Sequence, residues 1–438
     1  MAKGKKNGGG IQDAVGAYFK ELDIAAKRED GPSNLLSKYG MRYSAPYTFW
    51  TSSETLDAKR DLFRSIIAKY GEARTDEKMI DDLCIEICKG YFDAEKEIDL
   101  DEATNTFVER YIEYASKPTQ IIFPCGSIKL EDGLDHFALG PVAVCTGEHY
   151  YTKRLKGVTG PNWMFSHGAT FETLTENNKF VHQIGSTIFK VDVIATPPTA
   201  YSEAQQLALA FQSWLEIRSR RSYGSLTASV GDRTLSPGDT RTVFEEPWLT
   251  ARDDDTFLTN SSKMAPWISI GPDTIVILKE DGVDQEFDKI ASADPKTLGA
   301  RISAALSWYG LARTILDPSH RFALLFTAIE ALLTDPSPSA PVTDTIARNA
   351  STIISTSIDH REKNAKIVRD AYRMRSKVIH NGARSATRYD VKQIEYITHI
   401  LIYCILKTFD IGLAHGEFLG VLRSASYGVE IEELLAHS

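Results

Sequence analysis

Long uninterrupted apolar runs are missing from this 438-residue sequence. The most apolar late stretch, residues 396–413, is broken by His399, Lys407 and Asp410. It reads as a buried amphipathic helix and not as a bilayer span. No stretch has the pattern of a secretory signal. Cysteine is scarce, with five in the whole chain. Only Cys84 and Cys88 lie close together, one helical turn apart, and no second Cys or His pair has metal-ligand spacing. The pair is expected in a helix core, with no metal or other cofactor, and the expected compartment is the reducing cytoplasm. Internal repeats are absent. Excess positive charge is absent too: the net charge of −9 excludes a general nucleic-acid coat.

What is present is a globular balance, 42% hydrophobic and 25% charged, in a chain long enough for two or three cores. Its patterning predicts an α+β multidomain protein. Residues 1–117 are mainly helical after a Lys/Gly-rich start, with helices over 11–27, 53–70, 76–90 and 101–116. Residues 118–293 are β-rich, with strands over 119–130, 137–145 and 182–195, a helix over 202–218 and a hairpin over 264–279 turning at Gly271-Pro-Asp273. Residues 294–438 are helix only. There Asp294-Pro295 reads as an N-cap with proline at the first helical position, and Asp317-Pro318 restarts the pattern ahead of a nearly all-apolar helix over 321–333. Five helices joined by short links predict a bundle, the last of them running over residues 389–413.

Charge is concentrated in this last region. Residues 361–388 hold nine Lys/Arg and two acids, which leaves −16 for the remainder of the chain. A basic island in an acidic protein is an electrostatic address for an anion. On a wheel stepping about 100° per residue from Met374, the residues Ile367, Val368, Ala371, Tyr372, Val378 and Ile379 fall on one face, and Arg369, Asp370, Arg373, Ser376 and Lys377 on the other. Arg375 falls in the middle of the apolar arc. A guanidinium there needs a carboxylate, a helix end or an anionic ligand. A matching anomaly is Glu330, alone among Phe322, Leu325, Phe326, Ile329, Leu332 and Leu333. Glu330 and Arg375 are therefore expected to meet, either as a register-fixing ion pair or as the rim of an anion site. His380 follows near an expected helix stop at Asn381-Gly382, where exposed carbonyls favour an imidazolium suited to proton transfer.

The stretch Tyr372-Arg-Met-Arg-Ser-Lys-Val-Ile-His-Asn-Gly382 resembles the signature of the HEPN superfamily, in which a short spacer separates an arginine from a histidine. Thr327-Ala-Ile-Glu-Ala-Leu-Leu333 is similar to the second-helix pattern of its ApeA-like branch, and Ile346-Ala-Arg348 to the arginine-bearing helix between them. Arg313 and His320 share the bare spacing, so the setting distinguishes the second pair. The resemblance covers residues 294–438. It implies a metal-independent endoribonuclease, working as a homodimer in antiphage defence, abortive infection or toxin-like growth arrest. Arg375 and His380 would be the catalytic pair; Glu330, Arg373, Ser376, Lys377 and Arg348 would support them or bind phosphate. Ser376 departs from the Asn, Asp or His common at its position, and Arg373 is an alternative motif arginine. The implied partner is RNA, with tRNA among the candidates. Attack by the 2′-hydroxyl would leave a 2′,3′-cyclic phosphate. Residues before 294 would sense a phage-derived trigger and restrain the nuclease. The alternative is a non-catalytic nucleotide- or protein-binding module of the same type.

Weaker candidates are the Asp253-Asp-Asp255 run as a cation site, the Arg218, Arg220 and Arg221 cluster as an RNA contact, Trp163 as a recognition aromatic, and His136, His149, His167 and His182. Ordinary loop, cap and packing roles account for each of them.

Overall fold

The computed structural model describes residues 10–26, 41–44, 47–50, 53–94, 96–147, 187–222, 243–252, 255–264, 268–280, 282–283, 285–334, 342–355, 357–382 and 386–435. The Lys/Gly-rich start, Trp163, His149, His167, His182, Asp253 and Asp254 lie outside them. The chain is mostly helical with a small antiparallel sheet. It divides into two compact units, one of Met1–Ile121 with Asp192–Ala204, the other of Ile122–Val191 with Gln205–Ser438.

The first unit holds α1 (Ile11–Ala26), the hairpin of β1 (Met41–Ser44) and β2 (Tyr47–Trp50), α2 (Ser53–Tyr70), α3 (Glu77–Asp93) and α4 (Leu100–Ser116). Asp76 and Asp99 cap α3 and α4 by accepting from the first backbone N–H groups. Val15, Phe19, Leu62, Leu83, Cys84, Cys88 and Phe107 form the core. Burial drives the Cys84 thiol far above its ordinary pKa and that of Cys88 up to about 12, so both are packed hydrophobes.

The strands β3 (Thr119–Pro124), β5 (His136–Leu139), β6 (Val142–Thr146) and β7 (Thr187–Val193) form a sheet in the order β3-β7-β6-β5, and most of their residues belong to the second unit. A separate pair joins β4 (Ile128–Leu130) in parallel to β10 (Ile268–Ile270). The long helix α5 (Pro197–Ser222) follows β7, and β8 (Val243–Arg252) pairs with β9 (Asp255–Met264). The hairpin expected over 264–279 does not form. Instead β10 gives way to α6 (Pro272–Glu280), because Pro272 starts a helix and Asp273 favours its first turn.

The bundle contains α7 (Glu286–Ala291), α8 (Leu298–Thr314), α9 (Pro318–Leu333), α10 (Val342–Ile354), α11 (Ile358–Asn381), α12 (Arg388–Thr408), α13 (His415–Ala425) and α14 (Ile431–Leu435). Helix α9 restarts at Asp317-Pro318 as expected, with Asp317 as its cap and Pro318 in the first turn, so it begins three residues before the expected 321. Asp294-Pro295 does not start α8. It makes a turn that ends at Thr297, and the first free N–H groups of α8 reach the carbonyls of Leu413 (2.8 Å) and Ile411 (2.9 Å). The helix expected to reach residue 413 stops at Thr408 for the same reason: residues 411–413 turn back to cap α8, and α13 and α14 follow unforeseen. Helix α9 is central, packed by α8, α10, α11 and α12.

Helix α5, read from pattern as part of the middle region, is tied to this bundle by charge. Gly310 in α8 lets the two helices approach, since a Cβ there would lie 2.6 Å from the Ser213 hydroxyl and 3.0 Å from the Leu209 carbonyl. One turn farther along each helix, Glu216 of α5 pairs with Arg313 of α8. Arg313 Nε also lies 3.1 Å from Glu395 of α12, whose other oxygen accepts from Arg321 of α9 at 2.6 Å. Arg313 and Glu395 are 0% exposed, Glu216 2% and Arg321 6%. Burial opposes the charge on Arg313, yet Glu216, Tyr309 and Glu395 hold its pKa above the ordinary arginine value. Replacing Glu395 by Gln leaves two buried guanidinium ions facing one carboxylate. The expected loss is about 3–5 kcal/mol in urea unfolding followed by circular dichroism; a loss below about 1 kcal/mol, the size of a surface pair, contradicts the assignment.

Candidate active site

Helix α11 carries the residues singled out by sequence. It starts after Ser357, and its first turns are anchored by Arg361, which donates to the carbonyls of Ser355 (2.9 Å) and Ala425 (3.2 Å). Asn364 donates to the Ser355 hydroxyl at 2.7 Å. Ala365, Val368, Ala371 and Val378 face the core, and Tyr372 meets Phe326 edge-on at 5.6 Å. The helix ends at Gly382, whose φ of 62° and ψ of 20° are left-handed, with its N–H donating to the Lys377 carbonyl. Ile379, placed on the core face by the wheel, is instead 48% exposed, since packing partners have run out one turn before this cap.

Arg375 points inward and donates to Glu330 at 3.0 Å. Both side chains are about four-fifths buried, at 22% and 19% exposure. The expected partnership therefore exists. Its balance is uneven: burial pushes the Glu330 carboxyl above the usual range, and the attraction of Arg375 only partly offsets this. The Arg375 Nε is buried without an acceptor among the described residues, as is the Nε of Arg348 on α10.

His380 is exposed, together with Lys366, Arg373 and Lys377. Helix α11 stays regular to Asn381, so Arg375 and His380 lie about 140° apart around its axis and about 7 Å along it. One chain does not bring them onto one face. Arg373 is different: it is two turns before His380 and within about 20° of it. Arg369 lies on the same stripe. Asp344 accepts from Arg369 at 2.7 Å and Asp370 from Arg373 at 3.1 Å, both at exposed positions. Ser376 is half-buried between the two faces, and Lys377 stands one turn before His380. The outer stripe of α11 can thus offer a cationic, hydrogen-bond-donating surface beside one imidazole.

Arg313, which shares a bare spacing with His320, is consumed by the buried cluster and serves no site. Arg218 faces inward as well, donating to Glu286 at 2.9 Å and to the Leu406 carbonyl at 3.3 Å. Sequence reasoning missed the more deeply buried charges Glu216, Arg313, Arg321 and Glu395. A signal existed for Glu395, which sits between Ile394 and Ile397 of an apolar run. Among the described residues no group of three His, Cys, Asp or Glu is placed to hold a metal ion, and no helix is long and apolar enough to cross a membrane.

The raised carboxyl of Glu330 has a definite sign for stability. A carboxyl that holds its proton more tightly when folded favours the native state at low pH, and this advantage is lost as pH rises from the ordinary carboxylate value through the raised one. Wild-type stability relative to Glu330→Gln should therefore fall across that window, measured by denaturant midpoints at several pH values. A difference that does not change with pH argues against this environment for Glu330.

Comparison with models of protein families, with curated proteins and with solved structures finds no match, so the site stands on the geometry of this chain.

Proposed function

We propose that residues 294–438 act as a metal-independent endoribonuclease of the HEPN type, with His380 as its acid–base group. The observation that carries this reading is the exposed stripe of α11, where Arg369, Arg373, Lys377 and His380 share one face up to the left-handed cap at Gly382. RNA is the polymer such a stripe can cut without other help. Its 2′-hydroxyl is an internal nucleophile, and DNA lacks it. His380 removes the 2′-proton, the 2′-oxygen bonds to the adjacent phosphorus, and the bond to the 5′-oxygen breaks as that oxygen takes a proton from a second, protonated imidazole. Arginine forks stabilise the charge on the crowded phosphorus. The products are a 2′,3′-cyclic phosphate and a 5′-hydroxyl.

The need for a second imidazole favours a homodimer, in which each copy supplies one His380 to a shared cleft. Glu330 orients Arg375, whose side chain remains 22% exposed and so within reach of a phosphate. Arg348 would add a phosphate contact. A nuclease of this kind must be restrained, and the acidic residues before 294 are the proposed sensor, answering a phage-derived or other stress signal with RNA cleavage and growth arrest.

The test is incubation of the full chain with total RNA or tRNA in EDTA. His380→Ala should lower cleavage by at least about 100-fold while leaving thermal unfolding unchanged, because the side chain is exposed. Arg375→Ala should lower both cleavage and stability, since it strands Glu330. Excess His380→Ala chain should suppress cleavage by the wild type through mixed dimers, because each cleft needs one imidazole from each copy. Full activity in His380→Ala sinks the assignment, and binding without cleavage by the wild type assigns a non-catalytic nucleotide- or protein-binding module instead.

A further inference from the structure

Helix α12 buries Val391, Ile394, Ile397, Leu401 and Ile405 against its neighbours. Its opposite side has an unusual content. Tyr389 is 73% exposed and Tyr396 58% exposed. The spacing of seven residues returns each ring to within about 20° of the last, and rings so spaced stand about 10 Å apart along the helix. Tyr403, half-buried, continues the line. Lys392 and Lys407 are exposed on the same side. Helix α12 has two acids, and neither joins this stripe: Glu395 is buried in the charge cluster, and Asp390 closes the capping box with Thr387. Phenol rings interleaved with lysines, with no carboxylate among them, occur here in a protein of net charge −9.

We propose that the outer face of α12 is a stacking platform for single-stranded RNA. Bases stack on Tyr389 and Tyr396, and backbone phosphates pair with Lys392 and Lys407. Every base presents a π-face, so such a platform is tolerant of sequence. Charge decides the occupant. A second copy of the chain seated here would set lysines against a face holding no carboxylate, whereas a nucleic-acid backbone supplies a phosphate at each nucleotide. The inference rests on α12 alone and does not depend on the nuclease reading.

The experiment is fluorescence anisotropy of the full chain with a labelled, 2′-O-methylated oligouridine, which cannot be cut by 2′-hydroxyl attack. Binding should weaken as salt rises. Tyr389→Ala and Tyr396→Ala should each weaken it at least about fivefold, and the phenylalanine variants should retain it, because stacking needs the ring and not the hydroxyl. Lys392→Gln should shallow the salt dependence by about one counterion. Three results overturn the proposal: no binding by the wild type, unchanged binding in the double alanine variant, or loss of self-association in that variant with probe binding intact. A chain that still cuts RNA while the tyrosines prove irrelevant to the probe removes the platform and leaves the nuclease reading standing.

Discussion

Two arginines and two glutamates, sealed from water where four helices meet, are the constraint on which the second unit depends. Taking ions out of water costs several kcal/mol each, and only a fully paired arrangement offsets it. Glu216, Arg313, Arg321 and Glu395 come from α5, α8, α9 and α12 in turn. Each helix must therefore arrive in one rotation and one register for the charges to balance. Apolar packing alone would tolerate sliding by a turn; this cluster does not. The packing of Gly310 against Leu209 and Ser213 serves the same end by bringing the α5 and α8 backbones close together.

This fixed frame explains how α11 can be anomalous. Its inner side packs on α9 through Tyr372 and Phe326 and carries a second, wetter ion pair, Arg375 with Glu330. The two pairs differ in kind. The buried cluster is balanced in charge and sealed from water, whereas Glu330 is an uncomfortable carboxylate in a pair that keeps about one-fifth of each side chain exposed. An ion pair left in that state at the edge of a basic helix is better suited to be shared with a third, anionic group than to lock a fold.

Legibility in the sequence followed locality. The left-handed end at Gly382, the Asp317-Pro318 start and the meeting of Glu330 with Arg375 could be read because caps and helical faces are local patterns. The elements that were misplaced are set by distant partners. Helix α8 begins at Leu298 and α12 ends at Thr408 because residues 411–413 turn back to accept from α8. Gly271-Pro-Asp273 has the composition of a turn, but the proline there opens α6. For the site, the wheel placed the main core and outer positions of α11, Ile379 excepted, and Arg373 beside His380 follows from that geometry. Whether a helix neighbour or a second copy completes the site is not a property of spacing. The charge cluster was missed for the opposite reason: apart from Glu395 in its apolar run, none of its members is odd enough alone to demand a partner, and the partners lie 74 residues or more away.

The place of Glu216 bears on how this protein can be taken apart. Composition suggests a cut near residue 294, which would separate a β-rich half from a helical one. Such a cut would remove α5 and leave Arg313 and Arg321 with Glu395 alone, changing the charge sealed in the interior from zero to +1. The helical half is thus not a detachable cassette. Any shortened version that keeps the bundle whole has to carry residues 205–222 with it, by retaining the intervening chain or by supplying that helix as a separate peptide.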